Sequence, residues 1–198
     1  MEAHKDDTGS KIGMCLFLLS EILLFGGLFI LYSIYRFKNP IDFHLAAGDL
    51  DRVLGTVNTL ILLTSSLTMA LSISYLRKGN RYLSILFLTA TLLLGAFFLL
   101  NKYVEWMGKV HHGLYPNSPY LMGRSNGEVL FYGLYYSMTG LHGLHVLVGI
   151  VLLGIMWIWV RNGKIDGGNY IRLENSGLYW HLVDIIWIFL FPLFYLIT

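Results

Sequence analysis

His142 and His145 stand three residues apart inside an apolar run, Gly140-Leu-His-Gly-Leu-His-Val-Leu-Val-Gly149. His181 and Asp184 repeat that spacing in Tyr179-Trp-His-Leu-Val-Asp-Ile-Ile-Trp187, and Glu21 is a further ionisable group in apolar company. Imidazole can ligate a metal or haem, pass a proton, or hydrogen-bond a neighbour. Residues three apart share a helix face, so each pair would make one polar spot on an apolar rod. Such groups inside a membrane are costly, and they mark either function or a required internal contact.

Each chemistry has a plainer competitor. Two haem ligands normally come from different helices, so that their rings face each other across the macrocycle, and a spacing of three suits that badly. A mononuclear metal site built from His142, His145, His181 and Asp184 would be loose, because the acids lie at other depths. The residues favour interhelical hydrogen bonds for His142 and His145. For Glu21 they favour a buried carboxyl held by a histidine or by Ser20, with membership of a proton relay as the alternative. His111 and His112 precede Tyr115-Pro-Asn and read as part of a solvated loop.

The elements that must position these residues are membrane spans. Hydrophobic residues make up 56% of the chain and charged ones 13%, against about 25% charged in ordinary globular domains. Mean hydropathy is +0.61. Crossing a hydrocarbon core takes roughly 20 apolar residues, and five stretches are long enough: about 12–35, 53–76, 82–104, 130–160 and 178–197. The connections between them are too short for a soluble domain. The expectation is an all-α, polytopic bundle of five transmembrane helices, one domain over residues 1–198.

The first span is too long for the apolar segment of a cleavable signal peptide, follows Asp6 and Asp7, and contains Glu21. The single cysteine, Cys15, excludes an intrachain disulfide. A net charge of +2 with no basic stripe gives no reason to expect a nucleic-acid partner.

Lys and Arg set the expected orientation. Lys5, Lys11, Arg77, Lys78, Arg81, Arg161, Lys164 and Arg172 fall on one side, and Arg36, Lys38, Arg52, Lys102, Lys109 and Arg124 on the other. The short turn Arg77-Lys-Gly-Asn-Arg81 tips the balance, because short loops obey the positive-inside rule best. The amino terminus is therefore expected in the cytoplasm. At 1.5 Å per residue, Glu21 would then lie ~13 Å deep, Asp184 ~10–12 Å and His145 ~20 Å. Glu105, beside Lys102 and Lys109 at the outer end of the third span, is expected at the interface.

Small residues let membrane helices approach closely. Gly133, Gly140 and Gly143 in the fourth span and Gly26-Gly27 in the first are expected to do so. Thr64, Ser65, Ser66 and Thr68 can bond back to their own helix or across to a neighbour.

Phe131-Tyr-Gly-Leu-Tyr-Tyr-Ser-Met-Thr-Gly-Leu-His-Gly-Leu-His-Val-Leu-Val-Gly149 and the Tyr179–Trp187 run together resemble subunit III of the haem-copper cytochrome c oxidases. Gly13-Met-Cys-Leu-Phe-Leu-Leu-Ser-Glu-Ile-Leu-Leu-Phe25 resembles that family's segment bearing a buried, carbodiimide-reactive glutamate at the Glu21 position. Asn58-Thr59 and Glu105 also stand where the family has similar residues. The resemblance runs from about Lys11 to the end of the chain.

The resemblance implies a non-catalytic subunit of a proton-pumping terminal oxidase in a bacterial inner (plasma) membrane. Haems and copper would belong to subunits I and II, and this chain would carry no cofactor except bound phospholipid. Family members pack against subunit I, hold phospholipid and support proton uptake, and a larger respiratory supercomplex is a further possible assembly. Glu21, His142, His145, His181 and Asp184 would be the buried polar, proton-related set. Arg36, Arg52, Trp106 and Arg161 are the candidates for lipid head groups.

The mitochondrial pattern has seven spans. With five, the family's lipid cleft becomes an open face or is covered by another subunit. A quinol oxidase subunit III and the relative associated with nitric oxide reductases share these motifs. A membrane cytochrome that binds haem through His142 or His145 and His181 is the alternative of a different class. Glu21 is expected to hydrogen-bond His145 first and His142 second.

Overall fold

The computed structural model describes residues 7–196. Lys5 and Asp6 of the tail, and Ile197 at the end of the fifth expected span, lie outside the described residues. Within them the chain forms α1 (Asp7–Lys38), α2 (Pro40–Gly48), α3 (Arg52–Arg77), α4 (Arg81–His111), α5 (Pro119–Met122), α6 (Asn126–Arg161) and α7 (Ile171–Phe191). A single π-turn, Pro192–Leu196, closes the fold. Five helices are long and apolar enough to cross a membrane. They are the five read from hydropathy, each extended at one or both ends, and the protein is a multi-pass membrane protein.

Helix starts carry the expected chemistry. The Asp51 carboxylate accepts from Leu54 N–H at 3.0 Å, and the Asn80 side chain accepts from Leu83 N–H at 3.1 Å. Ser125 Oγ caps α6 by accepting from Glu128 N–H at 3.3 Å. Each satisfies one amide of the first turn that has no partner within the helix. The ends of α3, α4 and α6 share one motif. Gly79, Gly113 and Gly163 have φ of 77°, 71° and 72°, a left-handed conformation that glycine adopts without strain. The amide after each glycine reaches back over the last turn, as Asn80 does to the Tyr75 carbonyl at 2.9 Å.

Helices α3 and α4 form a tight antiparallel hairpin, and α6 and α7 pack across it. Helix α1 touches α6, α7, the short α2 and, through Tyr32, the π-turn, and most of its surface faces outward. Among the long helices, close approaches occur at Gly95, Gly149, Gly55 and Gly177, and Gly127 of α6 lies as close to Asp42 of α2. A Cβ on Gly95 or on Gly149 would lie 2.7 Å from the Trp180 ring. A Cβ on Gly55 would lie 2.8 Å from Tyr195, and one on Gly177 would lie 2.6 Å from Ile73.

This corrects the glycine reading. Gly26, Gly27, Gly133 and Gly143 meet nothing within 4 Å, and only Gly140 of the expected set faces a neighbour, Trp106 at 3.1 Å. A glycine promotes close packing only where another helix crosses at its level, and composition does not report the crossing point.

Pro192 has no N–H to give to the Ile188 carbonyl, and the helix widens into its π-turn there. That turn brings Tyr195 inward against α4 and α6, where it is fully buried.

Candidate functional site

Glu21 on α1 and His145 on α6 meet at 2.9 Å between Oε2 and Nε2, the contact expected first from the sequence. His145 Nδ1 lies 2.7 Å from the Leu141 carbonyl oxygen. A carbonyl can only accept, so Nδ1 carries a proton, and a neutral ring therefore leaves Nε2 bare. The short contact to Glu21 then needs a second proton between nitrogen and carboxyl oxygen. The pair is overall neutral whichever atom holds it. Phe25 sits edge-on to the imidazole with centroids 5.3 Å apart, and Tyr179 donates to the His145 carbonyl at 3.0 Å.

His142 behaves differently. It is fully buried, edge-on to Phe98 at 5.6 Å and beside Trp187 at 5.2 Å. Neither ring nitrogen has a hydrogen-bond partner among the described residues. The expected interhelical bond is therefore made by His145 and not by His142. Three residues leave about 60° between two side chains on a helix, enough here for one ring to face α1 and the other to face α4 and α7.

Along their interiors, helix α7 is tied to α3 by three polar contacts. Trp187 Nε1 donates to Thr59 Oγ1 at 3.0 Å, Trp180 Nε1 donates to Ser65 Oγ at 3.1 Å, and His181 Nδ1 lies 2.6 Å from Ser66 Oγ. Thr64 bonds back to Leu60, and Thr68 reaches Thr91 on α4 at 2.8 Å. Asp184 is 2% exposed, with Ser66 near it, yet neither carboxyl oxygen makes a well-formed hydrogen bond.

The densest polar cluster was not anticipated. Lys102 Nζ donates to Glu105 Oε2 at 2.9 Å, to Tyr135 OH at 3.1 Å and to Tyr195 OH at 2.9 Å. Tyr135 and Tyr195 each donate to Glu105 Oε1 at 2.7 Å. All three ammonium protons and both carboxylate oxygens are used. Glu105 is 7% exposed, so the carboxyl expected near the outer end of its span is enclosed by protein. The helix continues to His111 and does not end near residue 104, and α6 and the π-turn close over it. The signal available in the sequence was the Lys102–Glu105 spacing, one turn on a helix, which permits an ion pair.

At the same end of the bundle, Arg124 donates to Asp49 and Glu128, each at 2.8 Å. Its hydrogen bond to Tyr120, with those to Asp49 and Glu128, holds the guanidinium above its ordinary pKa. At the opposite end Glu174 takes Lys11 at 3.2 Å and also Arg77, fastening the starts of α1 and α7 to the end of α3.

The lipid candidates are not brought together. Arg36 lines a 470 Å³ pocket with Tyr32, Ser33, Phe37, Pro40 and Leu193. Trp106 lines a separate 220 Å³ pocket on α4 and α6. Arg52 begins α3 at that same end, whereas Arg161 lies at the other end, 5.1 Å from the Trp157 ring.

No three His, Cys, Asp or Glu side chains converge to hold a metal among the described residues. Both ring nitrogens of His145 are engaged. A family model described as cytochrome c oxidase subunit III matches residues 3–198.

The chain belongs to the cytochrome c oxidase subunit III family.

Its relatives fit that membership. Cytochrome c oxidase subunit 3 of Thermostichus vulcanus is 32% identical over 197 residues, which is 99% of this chain and 91% of the relative. A probable quinol oxidase subunit 3 of Staphylococcus saprophyticus is 29% identical over 95% of this chain and 89% of its own length. In Aeropyrum pernix the match is to a heme-copper oxidase subunit I+III, 31% identical over 94% of this chain and 22% of that longer protein. As a member of this family the chain is subunit III of a haem-copper oxidase, of the cytochrome c or the quinol type.

Proposed function

We propose that this subunit supports a proton-pumping haem-copper oxidase in aerobic respiration without taking part in electron transfer. It packs against subunit I, with subunit II in the same complex, in a bacterial inner membrane with its amino terminus in the cytoplasm. Haem and copper are held by those partners. The Aeropyrum relative, whose name joins subunits I and III in one protein, supports the placement against subunit I.

The observation that carries the reading is the Glu21–His145 pair. It stores one exchangeable proton within a span, on α1, the span that the rest of the chain covers least. With no converging ligand set among the described residues, its chemistry is proton holding and helix positioning. His181 and Asp184 add polar groups on α7, and His142 adds one on α6. Phospholipid is proposed at the Arg36 pocket, where a guanidinium stands above apolar walls at a span end. Arg52, Trp106 and Arg161 are secondary head-group candidates.

The test compares oxidase with and without this chain for initial rate, turnover-dependent inactivation and haem content. The expected result is an unchanged haem spectrum and near-normal initial rate, followed by early inactivation or slower proton uptake. Immediate loss of haem or of all initial activity would place the chain in the catalytic core instead. Cytochrome c is the proposed electron donor. The Staphylococcus relative keeps quinol as a second reading, and steady-state reduction by each donor separates the two.

A further inference from the structure

Beyond the Arg77–Glu174 ion pair at their ends, three polar contacts join α7 to α3, and one of them is incomplete. Trp187–Thr59 and Trp180–Ser65 satisfy their indole donors inside the bundle. His181 uses Nδ1 on Ser66, but its Nε2 has no partner among the described residues and is not enclosed by the chain. His181 stands ten residues beyond Ile171, where α7 begins, so it lies ~15 Å along the helix. Its partner Ser66 stands eleven residues before Arg77, the last residue of α3, so both groups lie well inside their helices.

The surface around this nitrogen is apolar. Leu178 and Ile185 precede and follow His181 by one turn on α7 and are 41% and 48% exposed. Leu63 lies one turn before Ser66 on α3 and is 45% exposed. The outer face is thus an apolar ridge with a single polar opening. Against acyl chains that nitrogen would lose a hydrogen bond outright, and water is scarce at this depth. Membrane helices meet such a demand with side chains of a neighbouring helix, usually in company with small residues. Ala70, one turn beyond Ser66 on α3, is also exposed and leaves room for close approach.

We propose that the α3–α7 face centred on Ser66 and His181 docks a transmembrane helix of another oxidase subunit, which presents a neutral hydrogen-bonding side chain to His181 Nε2. Ser, Thr, Asn, Gln or Tyr at matching depth fits. The partner group is neutral for two reasons. The Asp184 oxygens behind the opening are fully enclosed, so an incoming cation cannot reach them. An acidic partner would bring a buried charge with no cation on this face to pair with it. The inference rests on membership in an oxidase complex, and it assigns the face through which that membership is expressed.

The experiment uses the whole oxidase purified from its native membrane. A benzophenone side chain replaces Leu63 or Ile185, with Leu93 and Leu100 on α4 as controls that are 66% and 62% exposed. Irradiation is expected to join positions 63 and 185 to an oxidase subunit and the α4 positions to lipid. In parallel, His181→Phe is expected to lower retention of this chain on the detergent-washed complex at least tenfold, while His181→Gln keeps most of it. Lipid adducts alone at positions 63 and 185, with His181→Phe retained like the unsubstituted chain, overturn the proposal. If the chain nevertheless co-purifies with the haem-bearing subunits, only the assigned face is wrong. If the unsubstituted chain does not co-purify with them, the oxidase reading falls and the proposal with it. Because the crosslinking arm keeps His181 intact, a folding defect in the phenylalanine variant cannot mask the answer.

Discussion

Lys102 and Glu105 stand one turn apart on α4 with 2.9 Å between Nζ and Oε2, and each is 7% exposed. Tyr135 from α6 and Tyr195 from the π-turn complete their hydrogen bonds, so one ion pair fastens three elements.

Breaking this pair from one side leaves an uncompensated charge in a dry site. Removing one partner of a buried pair costs about 3–5 kcal/mol, while replacing both with apolar residues of similar volume is often neutral. Lys102→Met and Glu105→Leu are each expected to lower the thermal midpoint of the detergent-solubilised subunit strongly. The double variant should recover most of the loss. A double variant as unstable as either single one would show that the charges themselves are needed.

Glu21→Gln keeps a hydrogen-bonding group opposite His145 Nε2 and is expected to be structurally mild. Glu21→Ala opens a gap between α1 and α6, whose contact is already limited. Interhelical hydrogen bonds in membranes contribute on average about 0.6 kcal/mol and up to about 1.7. The alanine variant should therefore unfold at a slightly lower denaturant concentration and expose α1 to protease. Equal protease sensitivity in both variants would mean that the bond does not position α1.

Gly95→Ala and Gly149→Ala each push a methyl group to 2.7 Å from the Trp180 ring. Overpacking of this kind costs about 1–3 kcal/mol. Gly143→Ala and Gly133→Ala meet nothing within 4 Å and should be neutral. Comparing the thermal midpoints of these four variants checks the assignment directly.

Arg36→Ala removes the cation from the 470 Å³ pocket at the end of α1. Phospholipid retained by the washed complex, counted by native mass spectrometry, is expected to fall by about one molecule per subunit, because one head-group contact is lost. Arg161→Ala, at the opposite end, should leave that count unchanged. An unchanged count in both variants sinks the Arg36 assignment.

The family was legible because its motifs are contiguous, each held within one helix: the run from Phe131 to Gly149, the run from Tyr179 to Trp187, and the segment around Glu21. The five spans were legible because hydropathy is a local sum that needs no knowledge of neighbours. Even the Glu21–His145 contact could be anticipated, since a carboxyl inside a span needs a partner and few polar groups were available to it.

What only the tertiary structure decided is which way each helix turns. A span that is apolar all round carries no stripe to mark its inner face, so spacing could not separate His142 from His145 or choose among the glycines. Nor could spacing show that Glu105, near the end of its span, is enclosed by protein. It is buried because Pro192 widens the last helix and carries Tyr195 over it, a contact 90 residues away in sequence. Local composition sets where a chain enters and leaves the membrane; the rotation and crossing of helices, fixed by packing against distant residues, set which polar groups meet.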